Sequence, residues 1–255
     1  MQSPMATPLD SDLDIALRGF DPVCPELLAS RALQRRIDTK FLGRESALRQ
    51  LLPSLTPWYA LLPSPATYLT HYFDTPALSL FHDHRRGRRP RQKVRIRHYP
   101  DRRVSFLEVK TKHGPARTEK QRAELPFGLS RLREEEDAFL ASCTPLPPAD
   151  LLPTVTTAYR RITLVGKHTQ ERVTLDHDLV VSAGNLTHSF AGAWIVEVKQ
   201  ARFSLSTPIV RALRDAGVRQ ARASKYCTGV MALFPAIRSH RLHPCLRALE
   251  GVHHG

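Results

Sequence analysis

The sequence predicts an α+β domain in which about eight antiparallel strands close into a barrel with helices on its flanks. Three observations predict it. From 93 to 125, and again from 157 to 203, apolar and charged residues alternate with a period of two, the pattern of strands whose sides face different surroundings. The polar side of nearly every one of these strands is cationic. Helical patterns fall outside the strand runs, at 43–52, 130–143, 206–217 and 224–234.

The elements follow in order. Residues 1–30 are mixed in character and punctuated by proline, and read as a weakly ordered lead-in. "GRESALRQLL" (43–52) reads as a short helix ended by Pro53, and "YLTHYFDT" (68–75) as a strand running into a turn at Pro76. The run from 93 to 125 is broken by turn-like "YPDRR" and "KHGPAR", which gives successive antiparallel strands. "SRLREEEDAFLASC" (130–143) reads as a helix with Ser130 as N-cap, followed by a Pro-rich connector at 144–153. "TAYRRITLV", "ERVTLDHDLVV" and "WIVEVKQARF" supply further strands, and helices follow at 206–217 and 224–234. The domain is thus placed at 31–235, with 236–255 as a tail.

Strand parity decides which charges share a side. It groups Arg91, Lys93, Arg95 and Arg97; Glu108, Lys110 and Lys112; Lys120 and Arg122; Arg161 and Thr163; Arg172, Thr174 and Asp176; and Glu197 and Lys199. Two unit charges about 7 Å apart repel by roughly 2 kcal/mol at an effective dielectric near 20, so a dozen converging cations need an anion between them. A barrel lined by guanidinium forks and ammonium groups suits a slender chain of phosphates. Arg95 and Arg97, flanked by Val94 and Ile96, should point inward, while Arg91 and Lys93 lie nearer the turn and guard the mouth.

Composition narrows the partners. The 255 residues carry 38 Lys and Arg against 24 Asp and Glu, a formal +14, which favours polyanions. Cys24, Cys143, Cys227 and Cys245 are too scattered for a disulfide framework or a zinc ribbon. No basic n-region with an apolar run opens the chain, and no stretch of about 18 apolar residues occurs. The expectation is a cytoplasmic protein without a membrane span. His82 and His84 lie beside a basic loop and are read as surface or phosphate-contacting groups, and His240, His243 and Cys245 lack a fourth zinc ligand.

In order along the chain, "RRIDTKF" (35–41), "YFDTPALSLFHDHRRGRRPRQKVRIRHY" (72–99), "FLEVKTKHGPARTEKQR" (106–122), "YRRITLVGKHTQERVTLDHDL" (159–179), "IVEVK" (195–199) and "SKY" (224–226) resemble the VTC domain. That is the catalytic domain of the vacuolar transporter chaperone polyphosphate polymerase, a triphosphate tunnel metalloenzyme of the CYTH-like group. The resemblance implies a polymerase that moves the terminal phosphoryl group of ATP onto a growing polyphosphate chain with Mn²⁺ or Mg²⁺. By matching motif, it implies phosphate contacts from Arg36, Lys40, Arg95, Arg97, Lys110, Arg161, Arg172 and Lys225, and a metal-binding carboxylate in Glu197. Lys112, Lys120, Arg122 and Lys199 join the phosphate-binding set by parity.

One departure is informative. The first strand carries Arg36 and Asp38 where the wider tunnel families carry the glutamates of an E-x-E-x-K motif. Fewer carboxylates favour the polymerase branch over hydrolases and cyclases. The alternatives are an inorganic triphosphatase or a non-catalytic polyphosphate or nucleotide sensor. A nucleic-acid binding protein is a more distant reading, since no reader motif occurs and aromatics are only 7%.

Overall fold

The computed structural model describes residues 11–31, 36–63, 66–114, 117–237 and 243–250. Its strands are β1 (Ile37–Arg44), β2 (Tyr59–Leu61), β3 (Ala66–Asp74), β4 (Arg91–Tyr99), β5 (Val104–Lys112), β6 (Thr118–Leu125), β7 (Leu152–Gly166), β8 (Glu171–Ala183), β9 (Leu186–Phe190), β10 (Ala193–Gln200) and β11 (Arg219–Gln220). They form one 11-stranded sheet in the order β11-β1-β10-β8-β7-β3-β4-β5-β6, with β2 added on β7 and β9 on β8, and the pairs are antiparallel.

The path begins at β11 and ends at β6, so the sheet is open and the expected closed barrel of about eight strands is corrected. Both free edges are poor templates for closure. β11 is two residues long, and β6, "TEKQRAEL", is mostly charged or polar, as edge strands that resist pairing commonly are. The sheet nevertheless curls. Lys40 on β1 and Lys93 on β4 reach the same loop, donating to the Ala223 carbonyl at 2.9 Å and to Ser224 Oγ at 2.8 Å.

The helices are α1 (Ser11–Arg18), α2 (Pro25–Ser30), α3 (Glu45–Leu55), α4 (Ser79–Arg86), α5 (Asp137–Cys143), α6 (Pro208–Asp215), α7 (Lys225–Leu233) and α8 (His243–Glu250). Apolar residues make three cores. On the convex side, Phe41, Ile162, Leu164, Val173, Leu175, Trp194, Val196 and Val198 pack under α1, α3 and α6. Val94, Ile96, Leu107 and Val109 pack under α5 and its flanking turns. The third core takes Tyr72, Val155, Tyr159, Leu179, Val181 and Ile195 against α7 and α8, which fill part of the concave side.

Packing overrode several local signals. Leu48, Leu51, Leu52 and Leu55 form one buried stripe, and α3 runs on through Pro53 to complete it. Leu13 and Leu17, four apart on α1, are buried with Phe20, so part of the supposed lead-in belongs to the core. Cys245, Leu246 and Leu249 likewise tie α8, within the supposed tail, to the third core. Ser130 caps no helix: a 3-10 turn at Glu134–Glu136 precedes α5, and the buried Glu136 accepts from the Arg133 backbone N at 2.8 Å. No helix among the described residues is long and apolar enough to cross a membrane.

Candidate phosphate-binding site

Antiparallel register places the cations of the concave side opposite one another. Arg91 faces Lys112, Lys93 faces Lys110, and Lys110 faces Lys120. Like charges directly across a ladder are destabilising, and three such pairs in adjacent positions are not what an unliganded surface favours. Among the described residues, Lys110 and Lys112 have no hydrogen bond or ion pair. Burial, together with the neighbouring Lys40, pulls the Lys110 ammonium below its ordinary range. Burial likewise brings Lys93 down to about 8. Lys93 therefore lies within the site, tied to Ser224, and the expectation that it only guards the mouth is corrected.

Two carboxylates serve as clamps. Glu108 accepts from Arg95 Nε at 2.7 Å and from Lys120, with Arg97 Nη1 at 4.0 Å. Burial opposes its charge, but Arg95, Arg97 and Lys120 overcome that and hold it down at about 2. Asp176 accepts a two-pronged bond from Arg161, at 2.5 and 2.9 Å, and a further bond from Lys225, the first residue of α7. These cations keep Asp176 ionised despite its burial. The floor is aromatic. Tyr68 and Tyr159 stack with centroids 5.1 Å apart, and Arg161 lies 4.7 Å over Tyr68 while Lys225 lies 4.3 Å over Tyr159.

Glu197 differs from both clamps. It is opposite Lys40 on β1 and Thr174 on β8, and its nearest ion-pair partner is Lys199 at 3.5 Å. Burial disfavours its charge, yet Lys40 and Lys199, with Arg161 and Lys225 beyond, hold it well below the usual carboxylate range. No three His, Cys, Asp or Glu side chains converge among the described residues. One ionised carboxylate among phosphate-binding cations fits a hard divalent cation that takes its other oxygens from phosphate.

The VTC domain family model matches residues 35–234, a stretch that contains every predicted site residue. The chain belongs to the VTC domain family. No curated protein matches the chain. Among solved structures it is similar to a candidate adenylate cyclase from Bacillus halodurans, with 15% identity over 78% of this chain and 97% of that one and a TM-score of 0.49. A candidate adenylyl cyclase from Hippeastrum, described as having a dominant triphosphatase activity, gives 16% identity, 77% and 95% coverage and a TM-score of 0.47.

The VTC domain places the predicted residues unevenly. Lys40, Arg95, Arg97, Lys110, Lys120, Arg161, Lys199, Lys225 and Glu197 belong to the interlinked set described above, Lys199 donating to Thr174 Oγ1 at 3.3 Å. Arg36 is exposed and bonds Asp38 at 3.0 Å. Arg122 lies 4.8 Å over the Phe106 ring, and Arg172 is half-buried and faces Lys199 across the ladder. The tyrosine floor and the clamp role of Asp176 were missed. Parity already puts Asp176 beside Arg172 and Thr174, and parity in "YLTHY" and "TAYRR" would have placed Tyr68 and Tyr159, but nothing local says that a tyrosine floors the site or that this carboxylate clamps cations. His84 faces the Gln92 carbonyl at 3.2 Å from α4 and stands in no metal group. Cys245 is buried near Thr228, whereas His240 and the His243 side chain lie outside the described residues.

Proposed function

We propose that this VTC domain is a metal-dependent ATP–polyphosphate phosphotransferase, binding ATP and inorganic polyphosphate or triphosphate along the concave cationic face. One observation carries the reading: Lys93 and Lys110 face each other with no ion pair among the described residues, and Glu197, within electrostatic reach of Lys110, is an ionised carboxylate whose ion pair is with Lys199 at 3.5 Å and with no arginine fork. A polyanion relieves the first feature, and a cation bridging to it uses the second.

Phosphoryl transfer asks for positioning and charge neutralisation more than for a protein nucleophile. Lys40, Lys93 and Lys110 have no ion pair among the described residues and Lys199 has the 3.5 Å contact with Glu197, so these four bind and align the phosphates. Arg161 and Lys225, anchored on Asp176, and Arg95, anchored on Glu108, are held rigidly and orient whatever lies beside them. Glu197, with phosphate oxygens, would hold Mg²⁺ or Mn²⁺. That ion supplies electron withdrawal from the group being transferred. The acceptor, a phosphate or chain-end oxygen, is already ionised near neutral pH and needs no general base. The inward-facing cations on a curled sheet also favour a slender chain over a duplex.

Purified protein incubated with ATP and Mn²⁺ and resolved on a gel checks this: long polyphosphate is expected. Free phosphate alone would assign hydrolysis to the same bound anion, and no turnover with any divalent metal would sink the enzyme reading.

A further inference from the structure

Beyond the inner ladder stands a second cation cluster that the reaction does not use. Arg91 is the outermost inward residue of β4 and lies directly opposite Lys112, the last residue of β5. Arg89 comes from the loop before β4 and Arg222 from the loop between β11 and α7, and both are exposed. Among the described residues, Arg91 Nε is buried with no hydrogen-bond partner, and the side chain makes a long bond, 3.3 Å from Nη1 to the Arg88 carbonyl. Among the described residues, Arg89 and Arg222 have no ion pair. Burial and the neighbouring Arg89 and Arg222 pull the Arg91 guanidinium below its ordinary range, and Lys112 is lowered by burial and then by Arg91, Arg89 and Arg222, against a smaller opposing pull from Asp38.

We propose that Arg89, Arg91, Lys112 and Arg222 form a distal subsite that grips phosphates of an inorganic chain too long for the inner site, making the protein selective for long polyphosphate over triphosphate. The inference rests on the phosphate-binding reading of the concave face. Three features select this ligand. Arg91, Lys93 and Arg95 succeed one another on one side of β4 at about 6.8 Å intervals, so the cluster continues the inner row by one step. Its groups are all cations, and among the described residues none of them lies over an aromatic ring that could receive a base. An orphaned buried guanidinium N–H among like charges is satisfied by phosphate oxygen, and not by any side chain nearby.

The test compares tripolyphosphate with inorganic polyphosphate of several tens of phosphates, titrated into the wild type, Arg91→Ala, Arg222→Ala and the double variant at each of several matched salt concentrations. Tripolyphosphate affinity should stay within about twofold, whereas long-chain affinity should fall about tenfold in the double variant with a shallower salt dependence. An unchanged long-chain affinity, or an equal loss for both ligands, overturns the distal subsite. Wild-type protein that binds neither ligand overturns the underlying reading instead. Arg222 is exposed on a loop, so Arg222→Ala keeps the test decisive should Arg91→Ala fail to fold.

Discussion

At the scale of single residues, the site separates cations already matched by carboxylates from cations still waiting for an anion. Glu197 stands between the two groups, which makes Glu197→Gln the sharpest substitution. Turnover should fall by at least about 100-fold, while tripolyphosphate binds as well or better, because a negative charge has been removed from beside it. Calorimetric titration beside the gel assay checks both halves, and parallel loss of binding would show that Glu197 shapes the anion site. A second prediction concerns pH. Burial brings Lys93 and Lys199 down to about 8, and Tyr72, whose burial is outweighed by Arg95, Arg97 and Lys93, also comes down to about 8. All three release protons in the folded chain about two units before the unfolded chain does, so the unfolded state holds more protons between about pH 8 and 10. Stability of the ligand-free protein should therefore rise over that window, and tripolyphosphate affinity should fall as the lysines lose charge. Urea midpoints at pH 7.5 and 9.5 measure the first effect, and a falling midpoint would contradict it.

At the scale of elements, α7 decides the shape of the site, because its N-terminal end supplies Lys225 and the Ser224 cap that Lys93 holds. The helix can come this close because of Gly229, where an added Cβ would lie 2.8 Å from Val155 Cγ1 on β7. Gly229→Ala gains about 1 kcal/mol of helix propensity but overpacks the contact at a cost of about 1–3 kcal/mol. Net destabilisation of up to about 2 kcal/mol, with weaker tripolyphosphate binding, is expected in denaturation and titration experiments. A stabilised variant with unchanged binding would show that α7 needs no such close approach. Most elements were legible from the sequence. Parity in "KVRIR", "FLEVK" and "IVEVK" oriented Arg95, Arg97, Glu108, Lys110 and Glu197, since each of these strands has a hydrophobic side to fix its register. Pro53 and Ser130 misled, because a four-leucine stripe outweighs one lost donor and because Glu136, not Ser130, bonds the backbone ahead of α5.

At the scale of the molecule, the concave side holds an excess of positive charge that a ligand should relieve. Tripolyphosphate at about 100 times its Kd should stabilise the fold by about 2.7 kcal/mol, a rise in Tm of roughly 5–10 °C for a chain of this size. A thermal-shift titration checks this, and the rise should shrink as salt screens the site; an absent shift at saturating ligand would count against the concave face as an anion site. The sequence by itself determined the alternation of the strands, the side on which each charge lies and membership of the VTC domain family, because these depend on local period and motif order. Only the tertiary structure decided that the sheet remains open, that Lys93 lies inside, that Asp176 and Glu108 are bonded directly by arginine and lysine, and that Glu197 meets only the looser Lys199 contact at 3.5 Å. Those outcomes depend on which strands curl toward one another and which residues α7 brings between them: Lys93 meets Ser224 131 residues on and Asp176 meets Lys225 49 residues on, contacts that no local pattern encodes.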